Sequence, residues 1–190
     1  MLAHEAASQL GLDRVLLVPA GGSPHKRIDP EPGREVRLEL TAAAARGDDL
    51  LEASDVETRR AGPSYTYRTL ELLHDLRPVD ELFFLMGADV AAGLESWREP
   101  QRVLELARLG IAGRPGTVLD EAEAAIERLG ASERVVVIRM PELSVSSTRI
   151  RRRIAQGRPI RYLVPDPVLE LITERGLYRE SAATPGAVAR

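Results

Sequence analysis

Five short runs rich in valine, isoleucine, leucine and phenylalanine recur along this chain, each separated from the next by a longer amphipathic stretch. That alternation leaves few folds open. A strand covered on both faces reads as a continuous apolar run, and a connection long enough for a helix lets the next strand run parallel to the last. The runs are Val15 to Pro19, Leu50 to Ala53 extending toward Val56, Glu81 to Met86, Leu109 to Gly113, and Arg134 to Arg139. Helical periodicity predicts helices over about 34 to 46, 66 to 76, 98 to 108, 118 to 129, 147 to 156 and 165 to 175. The fold class expected is α/β, with a doubly wound parallel sheet.

The chain opens on a helix and not on a strand. Leu2, Ala3, Ala6, Ala7 and Leu10 fall at helical spacing, and Gly11 follows as a stop. Gly21-Gly22-Ser23-Pro24, Pro30 to Gly33 and Arg114-Pro115-Gly116 carry turn chemistry. They follow strands, where a sheet of this kind places its binding loops. One domain over residues 1–178 is expected, with a disordered tail from 179 to 190, small and polar and without an apolar period.

Composition narrows the chemistry. The net charge is −3, so no overall basic field is present to hold a nucleic-acid backbone, and any polyanion site has to be local. With two phenylalanines and one tryptophan, little remains for a base-stacking platform. Cysteine is absent and histidine occurs only at His4, His25 and His74, which excludes thiolate chemistry and disfavours a histidine metal cluster. No apolar run reaches the roughly 18 residues of a membrane span, and the expected location is a reducing cytoplasm. Lys26 is the only lysine among 26 basic residues, so an arginine by itself carries little information.

Four segments could carry chemistry. From Val145 to Arg153 the chain reads VSSTRIRRR, placing arginines at the start of a helix. Cations at the positive end of a helix dipole are disfavoured by about 0.3 to 1 kcal/mol each. A bound anion reverses that sign. Hydroxyls, free N–H groups and a guanidinium one turn on make a polyphosphate cradle; a Ser/Thr cap with a solvated arginine face is the plainer alternative. Gly87-Ala88-Asp89 ends the most hydrophobic run, where a carboxylate can accept from two ribose hydroxyls and a glycine admits a ligand closely. The plainer alternative there is a helix cap at Asp89, with Trp97 covering the core edge. Tyr65 and Thr66, in Gly-Pro-Ser-Tyr-Thr, precede an amphipathic helix, and on spacing alone a hydroxyl there reads first as a cap. His25 and Lys26 lie in the loop after the first run, where the lone lysine can meet a phosphate or simply be solvated.

In order, VLLVPAGGSPHK, SDVETRRAGPSYTYRTL, ELFFLMGADVAAGLESWREP, IAGRPG, MPELSVSSTRIRRRI with GRPIRYLVPDPVLELI, and the closing GLY resemble the bacterial nicotinate-nucleotide adenylyltransferases of the nucleotidyltransferase superfamily. The resemblance runs from about residue 2 to Tyr178. It implies a Rossmann-like fold and the reaction of ATP with nicotinate mononucleotide, giving deamido-NAD and pyrophosphate with Mg²⁺ as partner ion. It also implies that Ser146, Ser147, Thr148 and Arg151 hold the ATP phosphates, with Ser147 and Arg151 acting in catalysis. Asp89 and Gly87 then meet the adenosine ribose and Arg114 lies on the ATP side. Trp97 stacks on the pyridine ring, Tyr65 and Thr66 help bind the mononucleotide, and His25 and Lys26 approach its phosphate.

Members of that superfamily begin with a strand leading into Gly-Gly-Thr-Phe-Asp-Pro and a His-x-Gly-His motif, and this sequence contains neither. Its opening resembles the part of the first helix just beyond the second histidine, so His4 is not a catalytic histidine. The expectation is that Met1 is an internal methionine of a longer protein. A central strand would then be missing between the first and third runs, leaving two strands unpaired in mid-sheet. Two other readings stay open: a phosphopantetheine-type adenylyltransferase of the same superfamily, which shares Ser-Ser-Thr-x-Ile-Arg, and a non-catalytic nucleotide-binding protein. The Gly-Pro-Ser-Tyr-Thr stretch and Trp97 favour the pyridine mononucleotide over the former.

Overall fold

The computed structural model describes residues 1–21, 32–113, 118–141 and 145–179. In chain order the elements are α1 (Leu2–Leu10), β1 (Val15–Leu17), α2 (Arg34–Ala45), β2 (Leu51–Ala53), α3 (Thr66–Leu76), β3 (Phe83–Gly87) and α4 (Ala88–Ala91). A 3-10 turn at Leu94–Ser96 leads to α5 (Pro100–Leu106), β4 (Arg108–Gly113) and α6 (Val118–Arg128); a second turn at Ser132–Arg134 leads to β5 (Val135–Arg139), α7 (Ser147–Ala155) and α8 (Asp166–Glu174). Every strand pairing is parallel, as the alternation of runs requires.

The strands form two sheets, β1-β2 and β3-β4-β5. Among the described residues no strand pairs with the second edge of β1 or of β3. The expected mid-sheet break therefore falls where the resemblance puts it. In the larger sheet Met86 stands beside Ile111 and Gly87 beside Ala112, while Ala112 stands beside Ile138, so the three strands end at one level. Their carboxyl ends form a single edge, the place where parallel sheets present ligand-binding loops.

Two apolar clusters hold the helices on. Leu109 and Ile111 of β4 are almost wholly buried with Leu94, Val103 and Ile126, so α5, α6 and the first 3-10 turn close over the larger sheet. The second cluster joins Ala43 of α2 to Ile160, Val168 and Ile172, and Ile150 and Ile154 of α7 pack against it. Those two isoleucines are four residues apart and share one helix face, which seats α7 and leaves its arginines off that face. Gly11 ends α1 in the left-handed conformation, with φ 67°. No helix among the described residues is long and apolar enough to cross a membrane.

Candidate active site

Gly87, the last residue of β3, leads directly into α4, and Asp89 is the second residue of that helix. The helix has no side-chain cap, so Asp89 does not serve as one. Its carboxylate is exposed and has no hydrogen-bond or ion-pair partner among the described residues. A Cβ at position 87 would lie 2.5 Å from Asp89 Oδ1. The backbone of Gly87 is ordinary, with φ −76°, so what glycine supplies here is room beside the Asp89 carboxylate and not conformational freedom.

Ser146 caps α7, its Oγ accepting the N–H of Arg149 at 3.3 Å. The cap reading thus holds for that one hydroxyl. Ser147, Thr148 and Arg149 form the exposed first turn, which has no acidic residue. Arg151 follows one turn in, half-buried, with no acidic or hydrogen-bonding partner among the described residues. Arg153 is occupied differently, its Nε and an Nη donating to the Pro159 carbonyl at 3.0 and 2.7 Å. The start of α7 thus brings together hydroxyls, N–H groups and guanidinium groups, with no acidic residue in its first turn.

The other strand ends carry a second group of residues. After β1 the N–H of Gly21 donates to Ser64 Oγ at 3.0 Å and to Glu57 Oε2 at 3.3 Å, and an Arg37 Nη donates to the Gly21 carbonyl at 3.3 Å. Glu57 Oε1 accepts the Thr69 hydroxyl at 2.7 Å. The start of the loop that carries His25 and Lys26 is thereby tied to the connection that follows β2. His25, Lys26 and Arg114 themselves lie outside the described residues.

Tyr65 and Thr66 open α3, and no side chain caps that helix. The spacing argument for a cap fails here because Ser64 points its oxygen at Gly21 instead. Tyr65 stacks loosely on Tyr67, with centroids 6.2 Å apart. The Arg98 guanidinium lies over the Tyr65 ring, 5.4 Å from its centroid, which brings the segment after β3 to the start of α3. Trp97 is half-buried and meets Phe84 edge-on, with centroids 5.9 Å apart and planes at 82°. It covers the edge of the core, as the plainer reading expects, and keeps part of its ring in solvent. Upstream, Leu94 is wholly buried, and Arg128 donates to both oxygens of Glu95 at 2.6 to 3.0 Å. These contacts fix the segment that carries Trp97.

Two concavities elsewhere contain none of these residues. One of about 660 Å³ lies between α1 and β5, lined by Glu5, Gln9, Val137, Arg139, Met140 and neighbours; the other, of about 410 Å³, lies between the end of α7 and α8. The candidate residues instead lie on segments that follow strands: Asp89 directly after β3, Ser146 to Arg151 in the connection after β5, and Tyr65 and Thr66 in the connection after β2, which Arg98 joins to the segment of Trp97.

Residues 1–153 match the cytidylyltransferase-like family model. The probable nicotinate-nucleotide adenylyltransferase of Roseiflexus sp. (strain RS-1) is 43% identical over 94% of this chain and 89% of its own length. A counterpart from Thermus thermophilus is 42% identical over 94% of this chain and 90% of its own length. The chain belongs to the nicotinate-nucleotide adenylyltransferase family. The fold agrees at much greater distance: Plasmodium falciparum nicotinic acid mononucleotide adenylyltransferase, solved with NaAD, matches with a TM-score of 0.70 at 19% identity, over 93% of this chain and 90% of that one. As a family member the chain has a nucleotidyltransferase fold of the Rossmann-like type, in line with its parallel sheets.

Sequence reasoning passed over two residues that tie these segments of the adenylyltransferase together. Arg98 went unnoticed because arginine is common throughout the chain and positions 65 and 98 meet only in three dimensions. The Glu57 carboxylate that joins Gly21 to Thr69 left only a weak signal, an acid in a stretch otherwise rich in arginine.

Proposed function

We propose that this chain transfers the adenylyl group of ATP to nicotinate mononucleotide at the carboxyl edge of its sheets. An oxygen of the mononucleotide 5′-phosphate attacks the α-phosphorus of ATP. The bond from that phosphorus to the bridging oxygen breaks, pyrophosphate leaves with the electron pair, and deamido-NAD remains. No covalent enzyme intermediate is needed. Catalysis then consists of holding two anions in line and neutralising the charge that grows on the leaving pyrophosphate.

The observation that carries this reading is Arg151, a half-buried guanidinium without a partner among the described residues, one turn into a helix that opens on hydroxyls. It would meet the polyphosphate together with the first-turn N–H groups, Ser147 and Thr148, with Ser146 shaping the turn. Asp89 would accept from the ribose hydroxyls of ATP across Gly87, and Arg114 would assist on that side. Trp97 would stack on the pyridine ring, Tyr65 and Thr66 would border the mononucleotide, and His25 and Lys26 would approach its phosphate. Among the described residues no three histidine or carboxylate groups gather around a common point. The donors present therefore fit a Mg²⁺ held chiefly by ATP phosphates and water. Bound there, Mg²⁺ would neutralise phosphate charge. The cytoplasm, where ATP is plentiful, is the setting this chemistry suits.

The test is to incubate the purified chain with Mg-ATP and either nicotinate mononucleotide or phosphopantetheine, and to measure pyrophosphate and the dinucleotide. Deamido-NAD is expected from the first acceptor and no product from the second. Arg151→Ala should lower kcat by about a hundredfold to a thousandfold, the range for loss of one charge-stabilising contact. Calorimetric ATP binding with no turnover would replace this reading by a non-catalytic nucleotide-binding role, and product from phosphopantetheine would replace the acceptor.

A further inference from the structure

We infer that the concavity between the end of α7 and α8 is a binding site for a small amphipathic anion, an acid whose charged head is joined to a short apolar body. The concavity is about 410 Å³, a volume usual for small-molecule sites, and it contains none of the residues assigned to the reaction. The buried part of its lining is apolar. Ile160 and Ile172 are buried there, with Ile154 and Leu169 partly buried beside them. Its exposed part includes two arginines, Arg158 and Arg179, and among the described residues no acidic side chain lines it.

Neither guanidinium is used within the described chain. A basic residue just past a helix end often binds the last carbonyls. Here the carbonyls of Arg152, Arg153 and Ile154 already accept the backbone N–H groups of Gln156, Arg158 and Gly157 at 3.1, 2.8 and 2.9 Å. Arg153, and not Arg158, turns its guanidinium onto the Pro159 carbonyl. The Arg158 and Arg179 side chains have no hydrogen-bond, ion-pair or ring partner among the described residues, whereas Arg175 pairs with Glu39. Two cations lining one concavity, offset by no acid, favour an anion from outside. Inorganic phosphate would meet the charges and leave the isoleucine wall wet. A hydrocarbon would cover the wall and leave the charges unmet. A carboxylate on a short chain satisfies both.

The walls are fixed without a ligand. Gly157 turns the chain at φ 66°, the Leu163 N–H donates to the Ile160 carbonyl at 3.0 Å, and the Thr173 hydroxyl is spent on the Leu169 carbonyl at 2.8 Å. A site held in this way loses little to ordering when it fills. The larger concavity, between α1 and β5, lacks this chemistry, since Glu5 and Arg139 line it together with opposite signs.

Octanoate is the probe, with butanoate, octanol and octylamine as comparisons, each titrated calorimetrically into the purified chain at constant pH and salt. Octanoate should bind saturably at one site, more tightly than butanoate by up to about fourfold for each CH₂ it buries. It should also exceed octanol about tenfold, the scale of a hydrogen bond to a charged group, and octylamine should not bind. The double variant Arg158→Gln/Arg179→Gln, altered only at exposed positions, should weaken octanoate to the level of octanol and leave octanol alone. Hydrogen exchange with octanoate present should slow at residues 157–160 and 169–173 and stay unchanged in α1. Octylamine binding as well as octanoate, an octanoate affinity unchanged in the double variant, or no saturable heat from the wild type overturns the site.

Discussion

At position 87 the space beside the backbone is taken up by the carboxylate of Asp89. Adding a Cβ there meets Asp89 Oδ1 at 2.5 Å, the tip of a side chain that can swing away. Gly87→Ala should therefore cost little stability but displace the carboxylate, raising the Kd for ATP about tenfold, which is a loss of about 1.4 kcal/mol. Gly110 offers the contrast. A Cβ there would meet Leu85 Cδ2 at 2.6 Å and Ile138 Cδ1 at 2.9 Å, inside a packed core. Gly110→Ala should cost about 1 to 3 kcal/mol and leave ATP binding alone. Thermal melts and ATP titrations of both variants make the check; a Gly87→Ala protein that melts early yet binds ATP normally would contradict the assignment of Asp89. Asp89 and Arg151 stood out in the sequence as candidates because each stands at a strand end or helix start whose chemistry is local. Arg98 and Glu57 did not, since each acquires meaning only from a residue remote in sequence.

Among the elements, the short segment between α4 and α5 is held by the buried Leu94 and by one exposed ion pair. The N–H···O contacts from Arg128 hold the Glu95 carboxyl below the usual glutamate range, chiefly through hydrogen bonding. A carboxylate whose folded pKa is depressed lends stability that is complete above its unfolded pKa and is lost as pH falls through the lower folded value. The Trp97 environment should thus persist into the acid side of the ordinary carboxylate range. Arg128→Gln should move that acid transition upward, toward the usual glutamate value, in Trp97 emission recorded from neutral pH downward at constant salt. An identical transition in both proteins would show that the pair does not position Trp97. Added salt should narrow the difference, because the pair is exposed. The sequence had no means of showing this clamp. It did show the longer helices to within about two residues, since periodicity and caps are local, and it missed α4 and the 3-10 turn at Leu94–Ser96, which are too short to display a period.

For the molecule as a whole, two sheets without a shared strand must be joined by what lies across them. Helix α1 does this on one side. His4 Nε2 meets Asp48, just ahead of β2, at 2.8 Å, while the Gln9 amide makes two bonds to the backbone of Arg139 in β5, donating to its carbonyl and accepting its N–H, both at 2.9 Å. The Leu10 side chain lies beside Gly110 of β4. A break in the sheet follows from the resemblance, but this bridge does not, because it links residues 130 positions apart. The two attachments are unequal. The His4 pair is partly exposed, so it contributes little. The Gln9 amide supplies an acceptor for a strand N–H and a donor for a strand carbonyl, taking the place of a neighbouring strand. Gln9→Ala should cost about 1 kcal/mol, toward the low end for two bonds because water can replace them at this exposed edge. That corresponds to a fall of about 2 to 4 °C in Tm for a chain of this length. Hydrogen exchange should quicken at Arg139 and leave Leu17 of β1 unchanged, whereas His4→Ala should move neither. If His4→Ala proved the more damaging substitution, α1 would be fastened to the β1-β2 sheet and not to β5.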